Sequence, residues 1–319
     1  MAFYYYIGMD LFLQIMRLLP VGILDFIADS AKRTIGSKLA HTEKNRRFWN
    51  RVAEPRVLAR MASPAVPSAS DLAIYHKYVE KNGKESVLVL GSTPKIRELL
   101  QNAGINNYVV ADFSYNMIEN NLRLAKINAI KEVWIKTDWR TLPKLIQPVN
   151  CVMGDLIFGQ ILPDDQPDFL TAIYSILLPN GLFITRNHIV NQAIIDTDPQ
   201  IIIRECLEKI TKDDAPRIIT QLSYRLRSRM RNDIRKITSP GDLAQVLLDY
   251  KPRDEFEREL LRRLLAEILR KSRDGLEYPS QTKNELESKF RPLFEIKDLG
   301  FANDYEDSEY FPIYFLVKK

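Results

Sequence analysis

The chain has 319 residues, 45% of them hydrophobic and 27% charged, with a formal charge of +5. That balance is ordinary for a globular protein burying a real core, and the small positive excess lacks the dense basic stripe with interleaved aromatics that a nucleic-acid binder needs. Two separated cysteines and three scattered histidines supply neither a disulfide framework nor a His/Cys metal cluster, which points to a reducing cytoplasm and no metal.

In chain order, Ala2 to Ile27 is rich in apolar and aromatic residues, but Asp10, Arg17 and Asp25 interrupt it and Pro20 breaks its middle. A spanning helix needs about 20 nearly uncharged residues, and a signal peptide needs a basic start and a small-residue cleavage site. The stretch therefore reads as one or two amphipathic helices packed on the body, with membrane-surface attachment as the alternative. A loop containing proline and serine, MASPAVPSAS, then leads into a helix expected over Asp71–Lys81 with Ser70 as its N-cap.

From residue 84 strand and helix signals alternate. SVLVLG, YVVAD, VWIKTD, NCVMGD and GLFITRN are short apolar runs, separated by the helical PKIRELLQNAG, SYNMIENNLRLAKINA and DFLTAIYSILLPNG. Strands without polar alternation, separated by helices, predict a parallel sheet covered on both faces, doubly wound because the crossovers are right-handed. Residues 189–292 hold no convincing strand and read as helices with arginine-rich faces, and FEIKDLGF and YFPIYFLVKK close the chain as an antiparallel pair at the sheet's edge. The expected fold is an α/β, doubly wound, mainly parallel seven-stranded sheet with an antiparallel last strand. An N-terminal helical cap spans residues 1–83, the core spans 84–188 and 293–319, and a helical insertion spans 189–292.

In such a sheet ligands bind at the carboxyl ends of the strands. The first expected strand ends in Gly91-Ser92-Thr93-Pro94, where glycine permits close backbone approach, Ser92 or Thr93 can cap the next helix and proline suits its first turn. A plain strand-to-helix turn is the alternative. Asp112 ends the second strand about twenty residues later, the place of a carboxylate that accepts from the two hydroxyls of a ribose; capping the next helix is the alternative, and the spacing favours the ribose. Asp138-Trp139 follows the third strand, an acid for an exocyclic amine and a flat indole for a purine, or else a buried tryptophan beside a surface acid. Gly154-Asp155 follows the fourth.

VLVLGSTPKIRELL, VVADFSYNMIENN, TDWRTLP, VMGDLIFGQIL and LLPNGLFITR, in this order, resemble the motifs of class I S-adenosylmethionine-dependent methyltransferases over about Ser86–Arg186. The LG-x-TP opening and DWR-x-LP run are similar to a bacterial branch whose first motif replaces the usual glycine-rich loop. The terminal β pair fits the family's sixth and seventh strands. The resemblance implies S-adenosylmethionine as cofactor and S-adenosylhomocysteine as product. It implies that Gly91, Ser92 and Thr93 face the methionine part and that Asp112 holds the ribose. Phe113 and Met117 would lie against the adenine, with Asp138 and Trp139 at its edge and face. Asp155 would line the methyl-transfer cleft, and Asp71 and Tyr75 would close over the cofactor. Two departures stand out. Val89 replaces the acid usual two residues before the first glycine, and the loop keeps one glycine.

Methyl transfer from a sulfonium is an in-line displacement whose leaving thioether needs no proton, so positioning and desolvation do most of the work. A base is required only for a protonated acceptor; Asp155 and His188 are the candidates, with Tyr115 a third, although a lone histidine is commonly structural. The fourth motif reads Asp155-Leu-Ile-Phe rather than Asn-Pro-Pro-Tyr, which disfavours a nucleobase or glutamine amine as acceptor. A small-molecule acceptor, seated against the helical insertion, is the expected partner; a homodimer is left open. Arg225, Arg227, Arg229, Arg231, Arg262 and Arg263 could receive a carboxylate or phosphate, or form a solvated face with neighbouring acids. Two rival functions remain: a non-catalytic S-adenosylmethionine-binding sensor or scaffold, and a nicotinamide-dependent oxidoreductase, whose GxGxxG the GSTPKI segment does not supply.

Overall fold

The computed structural model describes residues 41–52, 61–82, 86–105, 107–124, 132–211 and 214–319; the apolar Ala2–Ile27 stretch lies outside them. Helix α1 (His41–Val52) precedes α2 (Ala69–Asn82), and then strand and helix alternate: β1 (Val87–Leu90), α3 (Pro94–Asn102), β2 (Tyr108–Asp112), α4 (Tyr115–Leu124), β3 (Glu132–Lys136), β4 (Val149–Asp155), α5 (Gln166–Ile176) and β5 (Leu177–Arg186). The insertion follows as α6 (Pro199–Glu208), α7 (Ala215–Arg229), β6 (Ile237–Thr238), α8 (Pro240–Asp249), α9 (Glu255–Arg273) and β7 (Tyr278–Pro279). Helix α10 (Lys283–Phe290) then returns to β8 (Phe294–Gly300) and β9 (Ile313–Lys318).

The main sheet runs β3-β2-β1-β4-β5-β9-β8. Its first five strands are mutually parallel, and β9 is antiparallel to both β5 and β8. This is the seven-stranded doubly wound sheet expected, with the closing pair at its edge. Side-chain alternation builds the two faces. Leu88, Leu90, Val152 and Phe183 join Phe169 of α5 and Phe290 of α10 on one side. Val87, Val89, Met153 and Ile184 meet Tyr75, Val79, Ile96 and Leu100 of α2 and α3 on the other.

The insertion has a core of its own, built from Ile203, Leu222, Leu226, Leu243, Leu264 and Ile268. Contrary to expectation it contains strand, since β6 and β7 pair antiparallel over two residues each. So short a ladder leaves no periodicity to read. A second correction concerns α2, which starts two residues early. Ser68 rather than Ser70 caps it: Ser68 Oγ accepts from the Asp71 amide and Asp71 Oδ2 accepts from the Ser68 amide, the reciprocal arrangement of a capping box with Asp in place of Glu. Ser70 instead ties the helix to Asn303 and Asp304. Among the described residues no helix is long and apolar enough to cross a membrane.

Candidate functional site

Parallel strands deliver their last residues to one end of the sheet, so Gly91, Asp112, Asp138 and Asp155 all lie along that end. Gly91 has φ +78°, a conformation that costs other residues roughly 1–2 kcal/mol. Its amide donates to Ala111 O at 2.8 Å, closing β1 onto β2. Ser92 donates to Asp112 Oδ2 through both its amide (3.0 Å) and its hydroxyl (2.7 Å), and the Ser114 amide donates to Oδ1 at 2.8 Å. Burial raises the Asp112 carboxyl above the ordinary range against these hydrogen bonds. Thr93 precedes α3 without a side-chain cap, and Pro94 takes its first position. The turn is thus drawn onto Asp112.

Beyond the ends of β2 and β3 lies a cleft with about 400 Å³ of atom-free space, its open mouth included, lined in part by Asn45, Phe113, Asp138, Trp139, Gln160 and Phe169. Trp139 is 6% exposed; its Nε1 donates to Ala111 O at 2.9 Å, and its ring meets Phe113 and Phe169 at 5.8 and 6.1 Å. Asp138 is half-buried and chelated by Arg140, with Oδ2 at 2.7 Å from Nη2. Burial alone would raise its carboxyl, but the Arg140 hydrogen bonds and charge hold it below the ordinary range. Helix α1 spans the mouth: Asn45 and Trp49 donate to the Gln160 carbonyl and side chain, and Asn50 meets Ser114 and Asn116. Met117 lies half-buried on α4 and Tyr115 is exposed there.

At the ends of β4 and β5 the arrangement is closed. Arg186, fully buried, binds Asp155 through Nε (2.7 Å) and Nη2 (3.1 Å), Asp71 through Nη1 (2.7 Å), and the Pro64 carbonyl through Nη2 (2.9 Å). The Tyr305 hydroxyl lies 3.3 Å from Nη1. The two carboxylates hold the guanidinium well above its ordinary pKa against burial. Tyr75, also fully buried, donates to Gly154 O at 2.8 Å and accepts from the Arg186 amide at 2.9 Å. Asp155, Asp71 and Tyr75 therefore meet around Arg186, which sequence reasoning did not single out. Its signal was a lone cation ending the apolar run GLFIT. The next residue after Asp155, Leu156, sits at φ 52°, a rare conformation for leucine that clusters at functional sites.

His188 lies two residues past β5, its ring 4.7 Å from Tyr224 and 5.2 Å from Phe311, with Nδ1 buried and without a partner. Burial, seconded by the Arg227 charge, holds its imidazole well below the ordinary histidine range. The unfolded chain takes up that proton near pH 6.5 and the fold does not. Stability is therefore lost as pH falls below about 6.5, at about 1.4 kcal/mol per pH unit until the folded-state value is reached. Urea midpoints measured from about pH 7 to about pH 5 should fall less steeply for His188→Gln than for the wild type; parallel slopes would remove His188 from this account.

No protein-family model matches the chain, and no curated protein does. A solved structure from Rhodobacter sphaeroides, provisionally named for zinc-dependent alcohol dehydrogenases, is similar over 86% of this chain and 99% of its own, at 13% identity and a TM-score of 0.58. The magnesium protoporphyrin IX methyltransferase of Synechocystis PCC 6803, solved with bound SAH, aligns over 88% of this chain and 100% of its own at 10% identity and a TM-score of 0.48. Human N-acetylserotonin methyltransferase in complex with SAM aligns over 78% of this chain and 51% of its own, at 9% identity and a TM-score of 0.42. At such identities the common property is architecture: the chain has a Rossmann-like fold, a mostly parallel seven-stranded sheet with one antiparallel strand beside β5.

Proposed function

We propose that the chain is an S-adenosylmethionine-dependent methyltransferase acting on a small-molecule acceptor. The observation that carries this reading is the turn after β1. A dinucleotide site cradles its pyrophosphate with free amides at the start of the first helix. Here the Ser92 amide is committed to Asp112 and Pro94 has no N–H to give. A turn closed in this way suits a ligand without a pyrophosphate, and an acid at its centre suits a cation. The antiparallel β9 also departs from the all-parallel order of dinucleotide sheets.

The residues present fit such a cofactor. An aromatic cleft with amide and carboxylate groups on its rim has the chemistry of a nucleoside site. Phe113, Asp138 and Trp139 would hold the adenine with Met117 nearby, Asp112 the ribose, and Gly91, Ser92 and Thr93 the methionine part, with Tyr75 supporting that end. When bound, the cofactor supplies an electrophilic methyl group. The chain's own contribution is to orient the acceptor and exclude water, which is most of what an in-line transfer requires. His188, whose protonation burial and the Arg227 charge disfavour, suits an acceptor that arrives without a proton to lose, and Asp155, already paired with Arg186, serves by fixing the ends of β4 and β5.

A second reading, a non-catalytic binding module, is favoured by one feature: the carboxylate at the end of β4 is sealed in an ion pair. The two separate by experiment. Calorimetry with S-adenosylhomocysteine should give binding under both, and turnover of S-adenosylmethionine with candidate acceptors only under the first. Asp112→Ala should weaken S-adenosylhomocysteine by about 1.5–3 kcal/mol, the range for hydrogen bonds to a charged group. Unchanged affinity in a folded variant would take Asp112 out of the ribose role, and no binding by the wild type would sink both readings.

A further inference from the structure

The arginines of the insertion are not alike. Arg225 is paired with Asp307 and Glu306, Arg229 donates to Thr197 O at 2.6 Å, Arg231 is paired with Glu285, and Arg262 and Arg263 share Glu259. Arg227 differs. It is 7% exposed, no carboxylate lies within ion-pair distance among the described residues, and its Nε is buried without a hydrogen-bond partner. An uncompensated buried cation costs several kcal/mol, so its retention calls for a counter-charge.

The surroundings say where that counter-charge would come. The Arg227 guanidinium lies over the rings of Tyr224 (4.5 Å) and Tyr278 (4.3 Å). With Nε left unpartnered, the planar N–H fork of a guanidinium matches a carboxylate. A second cation approaches the same place: Lys271 Nζ on α9 lies 4.5 Å from the Tyr278 centroid and 5.1 Å from that of Phe48 on α1, likewise without an ion pair among the described residues. Burial, with the Arg227 charge and against the pull of Glu267, lowers its amine to about 8. The cluster adjoins the ends of β4 and β5, since His188 and Phe311 pack on Tyr224 and Leu156, next to Asp155, joins the same apolar group.

We propose that Arg227 and Lys271 form an anion subsite that receives the carboxylate of a planar, aromatic methyl acceptor, with Tyr224, Tyr278 and His188 against its ring. The assignment of this ligand as the acceptor rests on the methyltransferase reading above; the anion subsite itself does not.

Benzoate and its uncharged counterpart benzamide, titrated calorimetrically into the full chain, test the subsite. Benzoate should bind and benzamide should not. Arg227→Gln and Lys271→Gln, each shown to be folded by its urea transition, should weaken benzoate by at least about tenfold, the loss of a charge-assisted hydrogen bond. In the same samples S-adenosylhomocysteine should bind within about threefold of the wild type, a change below the worth of one such bond. Absence of benzoate binding, equal binding of benzamide, unchanged affinity in both folded variants, or tighter binding of phenyl phosphate than of benzoate would each overturn the carboxylate subsite. Loss of S-adenosylhomocysteine binding in the wild type with benzoate binding intact would sink the methyltransferase reading and leave the subsite standing.

Discussion

Arg186→Met should cost about 3–5 kcal/mol of folding stability and abolish S-adenosylhomocysteine binding in whatever fraction stays folded. The guanidinium is fully buried between two carboxylates, Asp155 and Asp71, and also holds the Pro64 carbonyl. Removing it leaves two acids without their cation in a site that water does not reach, and the full desolvation penalty then falls on the fold. The loss has a pH signature. Burial already raises the Asp155 carboxyl, and without Arg186 it rises further, above its unfolded value. The folded variant then binds that proton more tightly than the unfolded chain, so acidification favours folding and the deficit shrinks from about pH 7 to about pH 5. Adding Asp155→Asn to Arg186→Met should recover part of the loss at pH 7, because one unpaired charge is gone. Urea unfolding of the three proteins checks this. A deficit below about 1 kcal/mol, the range of a surface ion pair, would mean that the cluster is open to solvent.

This cluster also marks the limit of what the sequence discloses. Strands β1, β2, β4 and β5 were legible because a strand buried on both faces is an apolar run, and each ends at a residue the interior rejects, Gly91, Asp112, Asp155 and Arg186, whereas β3 is a partly exposed edge strand, EVWIK, with Asp138 two residues past it. The insertion was legible as helical from its periodicity. What those terminal residues touch was not. Asp112 is held by Ser92 twenty positions away, Asp155 by Arg186 thirty-one away, and Arg186 by Asp71 at a separation of 115. No local pattern encodes such pairings; they follow from strand order, which brings β4 and β5 side by side and lays α2 across their ends. The same holds for Arg97, fully buried on α3. It forks onto Glu132 at the opposite end of the sheet, although PKIRELL reads as an ordinary amphipathic helix. In the insertion, composition could not tell Arg227 from its five neighbours. The difference lies in which acids the fold brings within reach.

Trp139→Ala should lose about 3–5 kcal/mol, the cost of deleting a large buried aromatic, and with it the cleft. The indole does three things at once. It fills the space between the β1 turn and α5, lying 3.9 Å from the position a Cβ would take on Gly91 and 6.1 Å from Phe169. It satisfies the Ala111 carbonyl at the end of β2. And it forms a wall of the cleft. Trp139→Phe divides these roles, because a phenyl ring keeps most of the apolar wall but has no N–H. The Ala111 carbonyl also accepts from the Gly91 amide, so it is not orphaned by the change. The expected cost is therefore near the low end of about 1–3 kcal/mol for a lost buried partner, with S-adenosylhomocysteine affinity within about threefold of the wild type, less than one such hydrogen bond. Urea unfolding and calorimetry on both variants decide between shape and hydrogen bonding. If the phenylalanine variant is as unstable as the alanine one, the N–H bond anchors the strand ends. If it folds well yet loses the ligand tenfold or more, the larger face of the indole makes a contact that a phenyl ring cannot replace.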